Sequence, residues 1–264
     1  MRSARLLLLV VMAVLLLVLS AQAGSKKELV KNFEAKEYVK VSTVSGDCII
    51  RKGEPGKITV EVNSSVRPSD AFEPKFRERS NSLVLEEEMY GSCYGESEWI
   101  LTVPEGTRVK FSTASGDLLV EDMKGDFEAS TASGDAEIVN CRGEFEFSTA
   151  SGDVEMTGCS GDFHLETASG EIDFDDCQGY FNVSTASGDI EAVNVTLEGR
   201  SAFSTASGTS RVVVAASPEH DLKVSTASGR AILDYNGNTL TGRFELIAKE
   251  RSGDIDAPFD FDNV

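Results

Sequence analysis

A Ser-Gly pair recurs at residues 115, 133, 151, 169 and 187, each step 18 residues, and again at 207 and 228. It lies in the hexapeptide STASGD at 112–117, 130–135, 148–153 and 184–189, with near-copies at 42–47, 166–171, 204–209 and 225–230. A strict period of this size restricts the chain to architectures that stack one unit on the next, that is, to a solenoid. Within one period, "FEFSTASGDVEMTGCSGD" (145–162), Phe145, Phe147 and Thr149 alternate with Glu146 and Ser148, and Val154 and Met156 flank Glu155. Alternation of period two marks short, half-buried strands. ASGD (150–153) and CSGD (159–162) separate the strands and lie nine residues apart, which predicts a coil of two halves, each a strand and a turn.

A three-sided left-handed helix can have the same coil length, but it repeats every six residues. That period would bury Asp162 in line with Ala150 and Met156, which excludes it. The expected fold is therefore all-β: a parallel β-solenoid with about 18 residues and two strands per coil, and right-handed crossovers as the general rule. Four inward columns follow: Val109, Phe127, Phe145, Phe163, Phe181; Phe111, Ala129, Phe147, Leu165, Val183, Phe203, Val224; Leu118, Ala136, Val154, Ile172, Ile190; and Val120, Ile138, Met156, Phe174, Ala192, Val212, Leu233. Burial of each large side chain is worth roughly 1.5–3 kcal/mol, so these columns carry the stability.

The chain divides into 1–23, 24–108 and 109–264. The first segment carries Arg2 and Arg5, an apolar run from Leu6 to Leu19 and the small-x-small Ala21-Gln22-Ala23. It reads as a secretory signal peptide cleaved after Ala23, with a secreted, periplasmic or cell-surface destination and no membrane span in the mature chain. Residues 24–108 read as strands and turns that begin coil-like at 42–47, then leave the repeat to cap the solenoid. At the other end, RSGDIDAPFDFDNV (251–264) starts another turn and strand; either the cap there is weak or the natural chain runs on.

The formal charge of −19 disfavours nucleic acid and anionic lipid as partners. The STASGD turns lack what a nucleophile needs: the two histidines, His164 and His220, do not recur with the serines, and there is no G-x-S-x-G elbow. Nor is there a P-loop lysine. The hexapeptide reads instead as a corner, its Gly supplying positive φ, its Ser and Asp bonding the local backbone, and its Thr facing inward. No catalytic residue is assigned, and the chain is expected not to be an enzyme.

Three candidate sites remain. Asp117, Asp135, Asp153, Glu171 and Asp189 form an acidic ladder one rung apart, flanked by Glu137, Glu155, Asp173 and Glu191; like charges at that spacing repel, and Ca²⁺ would relieve the cost. A Ca²⁺-binding β-roll also has nine-residue halves, but it uses glycines where this chain has Ser and Thr. Tyr90, Tyr94 and Trp99 sit among glutamates and could stack on sugars or on a protein, although Trp99 also fits the alternation of a buried strand. Five cysteines is an odd number for an oxidising compartment. Cys48 and Cys93 could pair with each other, and Cys141, Cys159 and Cys177 stack on adjacent coils within disulfide reach, where they also fit as core filler.

The opening Phe33-Glu34, the VSTVSGD of 41–47, the VPEGT of 103–107 and the tandem STASGD coils resemble the DUF4097 family, known as candidate adhesins. The resemblance covers nearly the whole chain after the signal segment. It implies a bacterial cell-envelope or secreted β-helix without established enzymatic activity, some relatives being linked with envelope-stress responses, and it carries over no catalytic residues. The expected function is a non-catalytic binding or scaffold module with a protein or glycan of the envelope as partner. The alternatives are a carbohydrate-active β-helix enzyme and a Ca²⁺-dependent surface protein.

Overall fold

The computed structural model describes residues 27–240, 243, 245–247 and 254–258. The predicted signal segment and the last six residues lie outside them. In chain order the strands are β1 (Lys27–Glu34), β2 (Tyr38–Ser42), β3 (Asp47–Lys52), β4 (Lys57–Ser64), β5 (Phe72–Glu78), β6 (Ser82–Met89) and β7 (Ser97–Val103). Seven strand pairs follow: β8 (Arg108–Ser112) and β9 (Leu118–Glu121), β10 (Phe127–Thr131) and β11 (Ala136–Val139), β12 (Arg142–Thr149) and β13 (Val154–Thr157), β14 (Ser160–Thr167) and β15 (Ile172–Asp175), β16 (Gln178–Thr185) and β17 (Ile190–Leu197), β18 (Ser201–Thr205) and β19 (Thr209–Val214), β20 (Leu222–Thr226) and β21 (Arg230–Asp234).

Each pair is one rung, and every even-numbered strand from β8 onward stacks parallel and in register on the one before it. The odd-numbered strands do the same on the opposite face. All four predicted columns form as read, so that Phe163 lies stacked between Phe145 and Phe181 with ring centroids at 5.2 and 4.8 Å. These rings are buried. Offset stacking adds to the area term because the ring quadrupoles meet edge against face.

The coil is less symmetric than its nine-residue halves imply. The even strands reach eight residues, the odd strands often only four. Ser160-Gly161-Asp162 is no turn; it opens β14, and the second corner is the shorter one just before it. There Asp122, Asn140, Gly158, Asp176 and Asn194 occupy the left-handed region at φ 53–63°. Asp, Asn and Gly are the residues that tolerate it, and they recur every 18 positions. This corner also absorbs length. The steps of 20 and 21 residues put their additional residues between β17 and β18 and between β19 and β20, with a register shift between Ala192 and Val195, while the STASGD corner keeps its form.

Residues 27–103 hold a cap and two rungs. β2 and β3 pair with β8 and β9, so they are a rung of the stack. β6 and β7 then stack on the far side of β2 and β3, making the outermost rung although they come later in the chain. The cap itself runs antiparallel: β5 on β6, β4 on β7 and β1 on β4. Under it Trp99 is fully buried beside Phe76, 6.0 Å between ring centroids. Among the described residues no strand pairs beyond β20 or β21, and Leu233 there is 37% exposed.

Candidate functional site

The STASGD corner is assembled from three ladders. The first is threonine. The hydroxyl oxygens of Thr113, Thr131, Thr149, Thr167 and Thr185 accept the N–H of the glycine three residues on, at 2.9–3.0 Å. Thr185, Thr205 and Thr226 also donate to the carbonyl of the preceding coil's glycine. The predicted inward parity holds, with Thr167, Thr185 and Thr205 buried.

The second ladder is glycine, and here the expectation of positive φ is corrected. Gly116, Gly134, Gly152, Gly170 and Gly188 are absent from the positive-φ residues. They are glycine because a Cβ would sit 1.8–2.0 Å from the carbonyl oxygen of the glycine one coil earlier. Close backbone approach selects the residue, a use of glycine distinct from its dihedral freedom.

The third is the acidic ladder. Asp47 Oδ1 accepts the N–H of Asp117 at 2.9 Å, and Asp117, Asp135 and Asp153 accept those of Asp135, Asp153 and Glu171 at 2.9, 2.8 and 2.7 Å. Asp189 does the same for Thr209 at 2.7 Å. The expected bond within the turn is thus a bond to the next coil. One carboxylate oxygen each of Asp47, Asp117, Asp135, Asp153 and Asp189 is committed to backbone, and among the described residues no three His, Cys, Asp or Glu side chains converge as a metal site requires. Beside the ladder, on the outer face, Glu137, Glu155, Asp173 and Glu191 stand in one register column. Burial first, and then Glu191, Glu171, Glu155 and Asp153, push the Asp173 carboxyl up to about 6. Burial and then Glu155 and Glu121 raise Glu137 in the same way.

Glu87 escaped the sequence expectations. Register with Ser42 through Glu86 places it in the threonine column of the outermost rung. It is 7% exposed, and its Oε2 accepts the N–H groups of Val44 and Ser45 at 2.6 and 3.3 Å while Oε1 accepts the Ser97 hydroxyl at 2.6 Å. The alternation Leu83, Leu85, Glu87 was the available signal.

All five cysteines are free thiols in this structure, so none of the candidate disulfides is formed in it. Cys48 points into the core in register with Trp99 and Leu118, away from the half-buried Cys93, whose Sγ lies 3.5 Å from the Met89 sulfur. Burial pushes the Cys48 thiol up. Cys141, Cys159 and Cys177 are buried and donate to backbone carbonyls, as at Val139, Thr157 and Met156. Of the aromatic candidates, Trp99 is withdrawn from the surface by its position under the cap, and its indole N–H has no hydrogen-bond partner. Tyr90 and Tyr94 are 49% and 74% exposed. His164 is half-buried on the outer face of β14, in register with Glu146 and Asn182, and its ring lies 5.5 Å from that of Tyr180. His220 is exposed in the loop before β20.

The profile of the Toastrack DUF4097 family matches residues 75–254, more than half of the chain. Three solved structures are similar to this chain at low identity. A candidate cell adhesion protein from Clostridium sporogenes has 10% identity and a TM-score of 0.38, with 81% of this chain and 100% of that one covered. A candidate adhesin from Bacteroides fragilis has 15% identity and a TM-score of 0.39, with 80% and 98% covered. Another from Parabacteroides distasonis has 14% identity and a TM-score of 0.38, with 81% and 96% covered. No curated protein is matched. Among the described residues no helix is long and apolar enough to cross a membrane.

Proposed function

Because this chain belongs to the Toastrack DUF4097 family, we propose that it works as an exported, non-catalytic binding or scaffold module of the cell envelope. One observation carries the proposal. The repeated hexapeptide, the obvious place for repeated chemistry, is consumed by its own architecture: Thr closes the turn, Gly admits the neighbouring carbonyl and Asp holds the next coil's N–H. A nucleophile or general base needs a proton partner in the site, whereas the Thr hydroxyl oxygen and one Asp oxygen of the corner are occupied by backbone N–H groups. What the solenoid offers instead is two extended outer sheet faces of in-register strands, and stacked-repeat proteins commonly bind through such extended surfaces. Export rests on the signal segment at 1–23.

The test is a pull-down from envelope fractions with the purified protein, run beside a polysaccharide hydrolysis panel. A captured protein or glycan supports the reading. Hydrolysis that disappears when Glu155 and Asp173 are changed to Gln and Asn would replace it with the carbohydrate-active alternative.

A further inference from the structure

Among the described residues nine corners lie along the STASGD edge, and eight carry the hexapeptide or a near-copy. The ninth joins β6 to β7 in the outermost rung and reads YGSCYGE (90–96). It holds Tyr90 and Tyr94, and the backbone beneath them is fixed. Tyr94 and Arg67 exchange two backbone hydrogen bonds at 2.8 and 3.1 Å, and the Tyr90 N–H donates to the Ala71 carbonyl at 2.9 Å. Gly95, at φ +122°, lies so near Ser65 that a Cβ would come within 2.8 Å of its carbonyl oxygen. Rigid, exposed tyrosines lose little entropy when a ligand covers them, which is why recognition surfaces favour them.

The polar groups around Tyr90 narrow the ligand. Its hydroxyl bonds Glu88 and Glu73, Lys75 pairs with Glu73 at 2.6 Å and Glu88 at 3.6 Å, and Arg77 pairs with Glu86 at 2.5 Å. Residues 27–110 carry 13 Lys and Arg against 15 Asp and Glu, whereas 111–200 carry 3 against 20. A cationic ligand would find the carboxylates beside Tyr90, Glu73 and Glu88, already engaged, and an anionic one would be repelled by the acidic body. Two ring faces beside a balanced set of donors and acceptors suit a neutral, polyhydroxylated ligand: C–H faces against the rings, hydroxyls exchanging bonds with carboxylate and ammonium.

We propose that the β6–β7 corner is a binding site for a neutral glycan, with Tyr94 and Tyr90 as its stacking surfaces. This deepens the binding-module reading and rests on it. Affinity electrophoresis of the purified protein through gels containing mannan, β-1,3-glucan, β-1,4-glucan or glycol chitin tests it. At least one should retard the protein; Tyr94→Ala should weaken that binding about tenfold or more, Tyr90→Ala less, and Tyr94→Phe within about twofold. All three variants should melt with the wild type, since the side chains are exposed. Equal retardation of wild type and both alanine variants would overturn this site while leaving the binding module standing. Retardation by none of the four would overturn the glycan class. An envelope protein captured by wild type but not by Tyr94→Ala would also overturn it, placing protein recognition at the loop.

Discussion

The two ends of the rod differ. At the outermost N-terminal rung, antiparallel strands cover both sheets and a buried carboxylate replaces the threonine. At β20 and β21 the described stack stops as a parallel edge, and Val224 and Leu233 keep part of their surface in water. A parallel in-register rung leaves an edge equivalent to the one it covered, so nothing in the repeat itself can end the stack. Ending it takes strands that run the other way and residues that occur once.

If the interior rungs carry the stability and the last described rung little, mutation should show a gradient. Phe163→Ala removes a ring packed on both sides and should cost about 3–5 kcal/mol in chemical denaturation, whereas Leu233→Ala should cost below about 2. Equal costs would erase the distinction between interior and end. Glycines divide the same way. Gly152→Val drives a Cβ to 1.8 Å from the Gly134 oxygen and should cost about 3 kcal/mol or more. Gly56→Ala, in an open turn at φ +86°, should cost about 1.

Two ladders can be compared across the cap boundary. Glu87→Ala leaves two N–H groups and a hydroxyl without their acceptor and should cost about 1–3 kcal/mol. Asp135→Ala removes one exposed link and should cost about 1 kcal/mol, with Asp135→Asn milder because an acceptor oxygen remains. The smallest effect is on pH. The raised carboxyls of Asp173 and Glu137 bind protons in the folded state that the unfolded chain, with ordinary carboxylates near 4, has lost. Between about pH 4 and pH 6 their contribution to stability therefore falls as pH rises. Asp173 is exposed enough for solvent to screen it, so acidifying from pH 7 to 5 should raise Tm by only about 1–2 °C, less in Asp173→Asn or high salt.

The rungs were legible because every inward position recurs 18 residues later, so Phe145, Phe163 and Phe181 declare one another. That a cap follows, and that Trp99 lies in a buried strand, were legible from the break in the repeat and the alternation of 99–103; the antiparallel strand order and the role of Glu87 were not, because each occurs once. Nor does local sequence say that 82–103 stacks outside 38–52; that order depends on which edges remain open after the first rung forms. The role of the corner glycines was hidden for a related reason. Positive φ is a property of one residue, while the contact that selects Gly152 belongs to two coils at once. Of the candidate sites, the acidic ladder was located correctly but its partner, the next coil's N–H, is visible only in three dimensions. The aromatic candidates divided, Trp99 to the core and the two tyrosines to the surface.

The corner that absorbs the 20- and 21-residue steps has a practical consequence. The rod has a spine and a fore-edge. Along the spine, the glycine backbones of successive STASGD corners press too closely for a methyl to intrude. Along the fore-edge the connections at 198–200 and 215–221 already vary while the rungs on either side stay aligned. New sequence grafted there, a tag or a foreign epitope, would be carried at a fixed height on the rod without disturbing the pages it is bound to.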